Sequence, residues 1–212
     1  MQNAQHWGET VRLLVELGAT VAFALSGVLE AARKRLDAVG VCVVGFLAAF
    51  GGGTVRDLLL DRRPFFWVQH VEVLWGILTL CGLAMLFLRQ RHFSLTERAI
   101  QWPDAIGLGL FAATGVHQAL LLQMPALVAV LMGVITGVFG GVLRDMVCNE
   151  IPAAFKDHRP YAVCAFIGGW VYVGLGQLAA PGWLALVSCV VVTAGLRCVA
   201  VWRNLQLPVW RV

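Results

Sequence analysis

The feature that most constrains this chain is a series of apolar runs, each about as long as a membrane-spanning helix. A helix needs roughly 20 apolar residues to cross the hydrocarbon layer of a bilayer. The sequence therefore predicts an all-α integral membrane protein with seven transmembrane helices. The predicted spans cover residues 13–32, 38–60, 68–88, 104–123, 125–148, 160–179 and 182–202.

The composition supports this fold class and excludes several functions. Of 212 residues, 59% are hydrophobic and 13% are charged, whereas soluble domains carry about 25% charged residues. We therefore expect a single membrane domain over residues 1–212. The motifs of hydrolases and zinc enzymes are missing from the sequence, so we predict that the protein is not an enzyme. Six cysteines without a C-x-x-C pair and five dispersed histidines predict no metal site and no bound cofactor.

The basic residues indicate the orientation of the chain in the membrane. They alternate between successive loops, with a cluster at residues 33–35 and further basic residues after the third, fifth and seventh spans. Arg62 and Arg63 are the exception. Because cytoplasmic loops carry the excess of Lys and Arg, we predict an external N-terminus and a cytoplasmic C-terminus. The scattered positive charge predicts no nucleic-acid partner.

The chain contains an internal repeat with an offset of 88 residues. "FGGGTVRDLLLDRRP" (50–64) is matched by "FGGVLRDMVCNEIP" (139–152), and the alignment holds without a gap from residue 23 to residue 64. We predict two copies, at 13–88 and 104–179, with 182–202 outside the repeat. Since each copy has three spans, the second enters the membrane from the opposite side, and the repeats are inverted.

The glycines of the repeated motif lie inside predicted helices. Gly51, Gly52 and Gly53 follow about 13 residues of the second span, and Gly140 and Gly141 occupy the same place in the fifth. Each glycine costs a helix about 1 kcal/mol relative to alanine, so we predict a kink or break. Backbone carbonyls freed there would face a water-filled path and replace a cation's hydration shell. The alternative is close packing of helices on small residues.

Charged residues follow the glycines in both copies. A charge deep in a bilayer costs on the order of 3 kcal/mol, so Arg56, Asp57, Arg144 and Asp145 need partners. Two-fold symmetry suggests pairing across the repeats, Arg56 with Asp145 and Arg144 with Asp57. A local ion pair near each span end is the alternative.

Other polar residues within the spans have two interpretations each. Ser26 and Thr114 match across the repeat, and each hydroxyl either faces the pore or bonds its own helix backbone. Glu16 and His117 are candidate functional groups because ionisable residues within a membrane are often functional. Asp104 is predicted to begin the fourth helix after Pro103.

Three stretches carry a resemblance to a known family. "FALSGVLEAARKRLDAVGV", "FGGGTVRDLLLDRRPFFW" and "GVFGGVLRDMVCNEIPAAF" resemble bacterial members of the trimeric intracellular cation (TRIC) channel family, also described as glycine-transporter-like inner-membrane proteins. The resemblance covers about residues 17 to 202. The chain departs from its own repeat at Phe139, which stands where the first copy has Gly51, so the two kinks need not be equivalent.

The resemblance implies a homotrimer in a bacterial inner membrane, surrounded by lipid, with one pore in each protomer. It implies conduction of monovalent cations, mainly potassium, along the first, second, fourth and fifth spans, with gating at the glycine kinks. A permeant K⁺ or Na⁺ is expected near those kinks. The alternative function is a small amino-acid carrier, for glycine, on the same scaffold.

Overall fold

A computed structural model describes residues 2–88, 97–156 and 159–208, and its regular elements in these ranges are α-helices. The prediction of an all-helical chain is confirmed. The helices are α1 (Gln2–Arg33), α2 (Ala38–Leu59), α3 (Phe66–Gln69), α4 (Val71–Leu88), α5 (Glu97–Leu121), α6 (Ala126–Val147), α7 (Ala153–Lys156), α8 (Ala162–Gln177) and α9 (Gly182–Trp202).

Five of these helices contain stretches long and apolar enough to cross a membrane. The stretches are Thr10–Arg33, Ala38–Leu59, Ala99–Leu121, Ala126–Val147 and Gly182–Trp202. Two shorter apolar helices, Val71–Phe87 and Ala162–Gln177, stand where the third and sixth spans are predicted. The seven-span count stays a prediction, because these two helices are shorter than the other five.

Two predicted boundaries differ from the structure. The third predicted span is divided, since the short helix α3 ends before His70 and α4 begins at Val71. The predicted helix start at Asp104 is wrong, because α5 begins at Glu97 and contains Pro103. A proline removes one backbone N–H from the helix ladder, and here the helix continues past that single missing bond.

The two copies of the repeated motif also end their helices, α2 and α6, in the same way. The N–H of Arg62 donates to the carbonyl of Asp57 at 2.8 Å, and the N–H of Glu150 donates to that of Asp145 at 2.9 Å. The residue before each donor has a left-handed backbone, with φ of 50° at Asp61 and 56° at residue 149, an asparagine. Asp and Asn tolerate this conformation better than most residues, so the same local chemistry ends α2 and α6.

Helices α1, α2, α5 and α6 form the centre of the molecule, and α4 packs against α1 and α2. On the other side, α8 packs against α5 and α6, and α9 packs against α5 and α8. A Cβ on Gly52 would lie 2.1 Å from the carbonyl oxygen of Thr136, and one on Gly140 would lie 2.6 Å from that of Ala48. These positions are matched pairs of the repeat, so the contact is self-complementary, as at a two-fold axis. The order of the contacts places α2 antiparallel to α6.

The glycines therefore permit close packing of α2 on α6. The predicted break is wrong, and the predicted kink stays a prediction. Helix α2 runs without interruption through Gly51–Gly53, and α6 does the same through Gly140 and Gly141. Since the helical backbone continues, no row of freed carbonyls follows from these residues. Their role in a pore stays a prediction.

Candidate functional site

A buried charged cluster lies between the middle of α1 and the C-terminal end of α2. Arg56 donates from Nη2 to Oε1 of Glu16 at 2.6 Å and from Nε to Oδ1 of Asp57 at 2.9 Å. Only 1% of Arg56 is exposed, and both carboxylates are buried. We call these three residues the Arg56 cluster. Their ion pairs compensate the cost of burying a charge.

A second cluster has the same construction on α5 and α6. Arg144 donates from Nη1 to Oδ1 of Asp104 at 2.7 Å and from Nε to Oδ1 of Asp145 at 2.7 Å. We call these three residues the Arg144 cluster. Each of its members lies 88 residues after its counterpart, including Asp104 after Glu16. Both clusters thus join a carboxylate of one helix to an Arg-Asp pair of the next.

The predicted ion pairs across the repeats are wrong. Each arginine pairs within its own repeat, and the local alternative is correct for the Arg-Asp pairs. The reason is the antiparallel packing of α2 on α6. Arg56 and Asp145 lie past opposite ends of the glycine contact, which separates them by about 20 Å at 1.5 Å per residue.

The matched hydroxyls behave differently. Ser26 accepts a hydrogen bond from Nη1 of Arg144 and so joins α1 to the cluster of the other repeat. Thr114 instead donates to the backbone carbonyl of Phe111 at 3.1 Å, within its own helix. Ser26 thus contacts a charged side chain, whereas Thr114 bonds to the backbone of its own helix.

Groups from other elements cover part of the Arg144 cluster. The Tyr161 hydroxyl donates to Oδ2 of Asp104 at 2.7 Å, and the Ala153 N–H donates to Oδ2 of Asp145 at 2.9 Å. The Arg197 guanidinium of α9 lies 4.6 Å from the Tyr161 ring centre. Arg144 and Asp145 nevertheless line a cavity of about 80 Å³, together with loop residues such as Glu150.

The Arg56 cluster opens onto a larger cavity of about 230 Å³. Arginines 12, 62 and 63 also line it, and Arg62 donates to the side-chain oxygen of Gln118. The two clusters therefore share a charged motif but differ in the size of the cavity beside them.

An apolar centre separates the two clusters. Phe23 and Phe111, another matched pair, stack with ring centres 5.6 Å apart and are 0% and 2% exposed. A Cβ on Gly107 would lie 2.6 Å from the Phe23 ring. The described conformation thus places polar, apolar and polar layers in succession along α1, α2, α5 and α6.

The predicted site residues divide between these layers. Gly52 and Gly140 lie at the contact of α2 with α6, and Gly51 lies against the side chain of Leu143. Gly53 and Gly141 lie beside the arginines, with a Cβ position 3.8 Å from Nη2 of Arg56 and of Arg144 respectively. His117 belongs to neither cluster, and its Nδ1 forms a hydrogen bond with the Tyr172 hydroxyl at 2.7 Å.

Several members of the site are not among the predicted pore and charged-motif residues. Glu16 is a general candidate in the sequence, and Asp104 is misread as a helix start. Extending the 88-residue alignment upstream from residue 23 would have matched the two acidic residues. Arg197 has a weaker signal, as a charge within the last apolar run. Tyr161 has none, because its counterpart at residue 73 is a valine.

A further set of charges joins the loops outside the Arg144 cluster. Lys34 donates to Glu150, and Lys156 lies 3.4 Å from the same carboxylate. The hydrogen bond and charge of Lys34, and then those of Lys156, lower the pKa of Glu150 below its ordinary value. Nearby, Arg33 and Glu30 pair at 2.7 Å.

Comparisons with known proteins agree with this architecture. A family model described as "Glycine transporter" matches residues 13–90 and 101–177, two stretches that begin 88 residues apart. A UPF0126 membrane protein of Vibrio cholerae is 40% identical over 92% of this chain and 81% of its own length. The UPF0126 inner membrane protein YadS of Escherichia coli K12 is 37% identical over 92% and 93%.

Solved structures of TRIC channels share the fold. A structure described for conductance through TRIC cation channels has a TM-score of 0.82 at 34% identity, covering 94% of this chain and 97% of the other. The TRIC trimeric intracellular cation channel orthologue of Rhodobacter sphaeroides has a TM-score of 0.83 at 34% identity, covering 92% and 99%.

Proposed function

Because the chain belongs to the family described as glycine transporter, with the UPF0126 membrane proteins and TRIC channels as relatives, we propose that it is a potassium-conducting cation channel of a bacterial inner membrane. The protein is not an enzyme, since its relatives are membrane proteins and cation channels. The proposed assembly is a homotrimer with one pore in each protomer.

The observation that carries this proposal is the pair of matched charged clusters at opposite ends of one central helix group. Two buried arginines and four buried carboxylates would be costly if they faced lipid. Placed inside the protomer, they mark the two ends of a polar path along α1, α2, α5 and α6. We therefore propose that these four helices line the pore.

The matched contacts of α2 and α6 support two inverted repeats within seven spans. The contact of Gly52 with Thr136 becomes that of Gly140 with Ala48 when the two repeats are exchanged, as a two-fold axis requires. A spanning role for α4 and α8 completes three spans in each repeat, with α9 as the seventh. The charge pattern supports an external N-terminus and a cytoplasmic C-terminus.

Gating is proposed to occur where α2 and α6 meet. The apolar Phe23–Phe111 centre blocks ions, because a cation there has no polar partner to replace its hydration shell. Separation of α2 from α6 at the glycines admits water to this layer, and permeant K⁺ or Na⁺ then passes near Gly52 and Gly140. Thr136, whose carbonyl lies against Gly52, supplies an oxygen at the same place.

Purified protein in planar bilayers under a potassium gradient tests the channel function. We expect discrete unitary currents that reverse at the potassium equilibrium potential. Liposomes made from the same preparation are assayed for glycine counterflow, since the family's description favours a glycine carrier as the second candidate. Saturable glycine exchange without unitary currents would replace the channel with the carrier.

A further inference from the structure

The cavities beside the two clusters occupy equivalent places in the two repeats. Several residues that line the cavity of about 230 Å³ have their counterparts, 88 residues later, in the lining of the cavity of about 80 Å³. Arg56 and Asp57 thus match Arg144 and Asp145. The larger cavity is far above the roughly 15 Å³ that one water needs on a similar measure, so it has room for a small solute.

Three equivalent lining positions differ in charge between these cavities. In the larger cavity they carry arginines, namely Arg12, Arg62 and Arg63. In the smaller cavity they carry two isoleucines and one glutamate, namely Ile100, Glu150 and Ile151. We call the three arginines the arginine rim. Since the other repeat builds the same cavity without basic residues at these positions, the scaffold does not require the rim's positive charge.

Among the residues that the structure describes, the arginine rim forms no ion pair with a carboxylate. The carboxylates of the Arg56 cluster pair within that cluster. Arg62 donates to the side-chain oxygen of Gln118, and Cζ of Arg63 lies 4.3 Å from the centre of the Phe65 ring. A guanidinium stacked on a ring keeps its N–H groups in its own plane, so those of Arg63 stay available to a ligand.

The position of the arginine rim suits a ligand that arrives from water. Arg12 and Arg62 are half-buried and Arg63 is exposed, whereas the Arg56 cluster is buried. Of the described lining residues outside that cluster, Asp61 is the one carboxylate. Arg62 and Arg63 also lie on the predicted external side, where basic residues are sparse. An anion at the rim therefore meets an excess of positive charge.

We infer that the arginine rim binds a small oxyanion of the phosphate type. Guanidinium groups donate two parallel N–H bonds to phosphate oxygens, and this fixed fork makes arginine the preferred residue for such ions. A tetrahedral dianion presents acceptors to three forks, whereas a monocarboxylate occupies one fork and chloride lacks the paired acceptors. The inference goes beyond the proposed function, because conduction of cations requires no oxyanion site.

Equilibrium dialysis of the full-length protein in neutral detergent with radiolabelled phosphate tests the site. We expect saturable binding near one phosphate per chain at concentrations up to about 10 mM. Sulfate has the same shape and charge, so it competes within a fewfold of unlabelled phosphate. Acetate competes at least about tenfold more weakly. Potassium chloride holds the ionic strength constant throughout, because salt screens exposed charges.

The second repeat supplies the substitutions that remove the site. Arg12→Ile with Arg63→Ile gives these positions the residues that their counterparts already carry in the same fold, and we expect about tenfold or greater loss of phosphate affinity. Arg203→Gln removes an exposed arginine after α9 and should leave phosphate affinity within about twofold of wild type. Size-exclusion chromatography first checks that each variant is folded.

A further variant keeps the test valid if the double isoleucine variant does not fold. Arg63→Lys retains the charge at an exposed position and removes the fork of N–H donors, so we expect a severalfold weaker affinity for phosphate.

Phospholipid headgroups carry the same phosphate chemistry, and a competition experiment distinguishes the two sources. Phosphatidylglycerol is added in the same detergent, with zwitterionic phosphatidylcholine as its match. If phosphatidylglycerol alone displaces labelled phosphate, the rim also accepts a lipid headgroup. If neither lipid displaces it, the ligand is the free ion.

Three results would overturn the inference. They are no saturable phosphate binding to the folded protein, competition by acetate as strong as that by sulfate, and unchanged affinity in a folded variant that lacks the rim arginines. Potassium currents are recorded in chloride without phosphate, so loss of this inference leaves the channel proposal standing, and absent currents leave the phosphate result intact.

Discussion

At the scale of single residues, the two repeats share charges but not all of their partners. The buried arginines have the same acidic neighbours, whereas the matched hydroxyls of Ser26 and Thr114 make different bonds. A hydrogen bond to a charged group contributes more than one between neutral groups. We therefore expect Ser26 to contribute more than Thr114 to the free energy of unfolding, although the two occupy the same position of the repeat.

We predict that Ser26→Ala destabilises the protein by about 1.5–3 kcal/mol, because Arg144 loses a buried acceptor. Thr114→Val keeps the volume and loses only a bond within α5, so it should change stability by less than about 1 kcal/mol. Unfolding of the detergent-solubilised variants measures the difference. Equal losses of stability in the two variants would contradict the assignment of a charged partner to Ser26 alone.

At the scale of helices, close contact between α2 and α6 depends on individual glycines. A methyl group on Gly52 would meet the backbone oxygen of Thr136, which has no rotamer through which to yield. One on Gly53 has the Arg56 side chain at 3.8 Å as its nearest neighbour. A substitution at Gly52 thus tests helix packing, whereas one at Gly53 tests mainly helix propensity.

Gly52→Ala should destabilise the protein by about 1–3 kcal/mol, because α2 and α6 must move apart. Gly53→Ala should be neutral or should stabilise by up to about 1 kcal/mol, because alanine is the better helix former. Thermal unfolding compares the two variants. A Gly52→Ala protein as stable as Gly53→Ala would show that the helices do not meet here.

The loop charges that join α1 to the end of α6 predict a pH dependence. The pKa of Glu150 is lowered in the folded protein by Lys34 and then Lys156. Its contribution is therefore fully present above the ordinary glutamate pKa of about 4.3 and is lost as pH falls through the lowered folded value.

The unfolding midpoint of wild type should consequently fall more steeply below about pH 4.3 than that of Glu150→Gln, which lacks the titrating group. Scans at several values from pH 7 to pH 3 at constant ionic strength measure both slopes. Parallel curves for the two proteins would exclude a contribution from this ion pair.

At the scale of the whole molecule, the matched contacts of α2 and α6 are those expected of two inverted repeats. If the repeats are inverted in the membrane, positions 88 residues apart face opposite sides. The loops after α1 and α5 are suitable for comparison, since each ends in the same left-handed turn, at Arg35 and Gln123.

An alkaline phosphatase reporter, which is active only outside the cytoplasm, should be inactive when fused after Leu36 and active when fused after Met124. The reason is that one span precedes the first position and four precede the second. A green fluorescent protein fusion at either position gives the complementary readout. Activity on the same side at both positions would refute the inversion.

The sequence by itself determined the helical class, the 88-residue duplication and the placement of Arg56, Asp57, Arg144 and Asp145 near helix ends. These properties depend on local periodicity and on spacing along the chain. A long apolar run forms a helix in a bilayer whatever lies beside it.

Only the tertiary structure decided which groups meet. Arg56 reaches Glu16 across 40 residues, and the antiparallel packing of α2 on α6 removes the expected cross-repeat pairs. The glycines become contact points because a carbonyl of the neighbouring helix lies against them. Which face of a helix packs on which neighbour is a property of the assembled helices, and a single sequence specifies it only through their mutual packing.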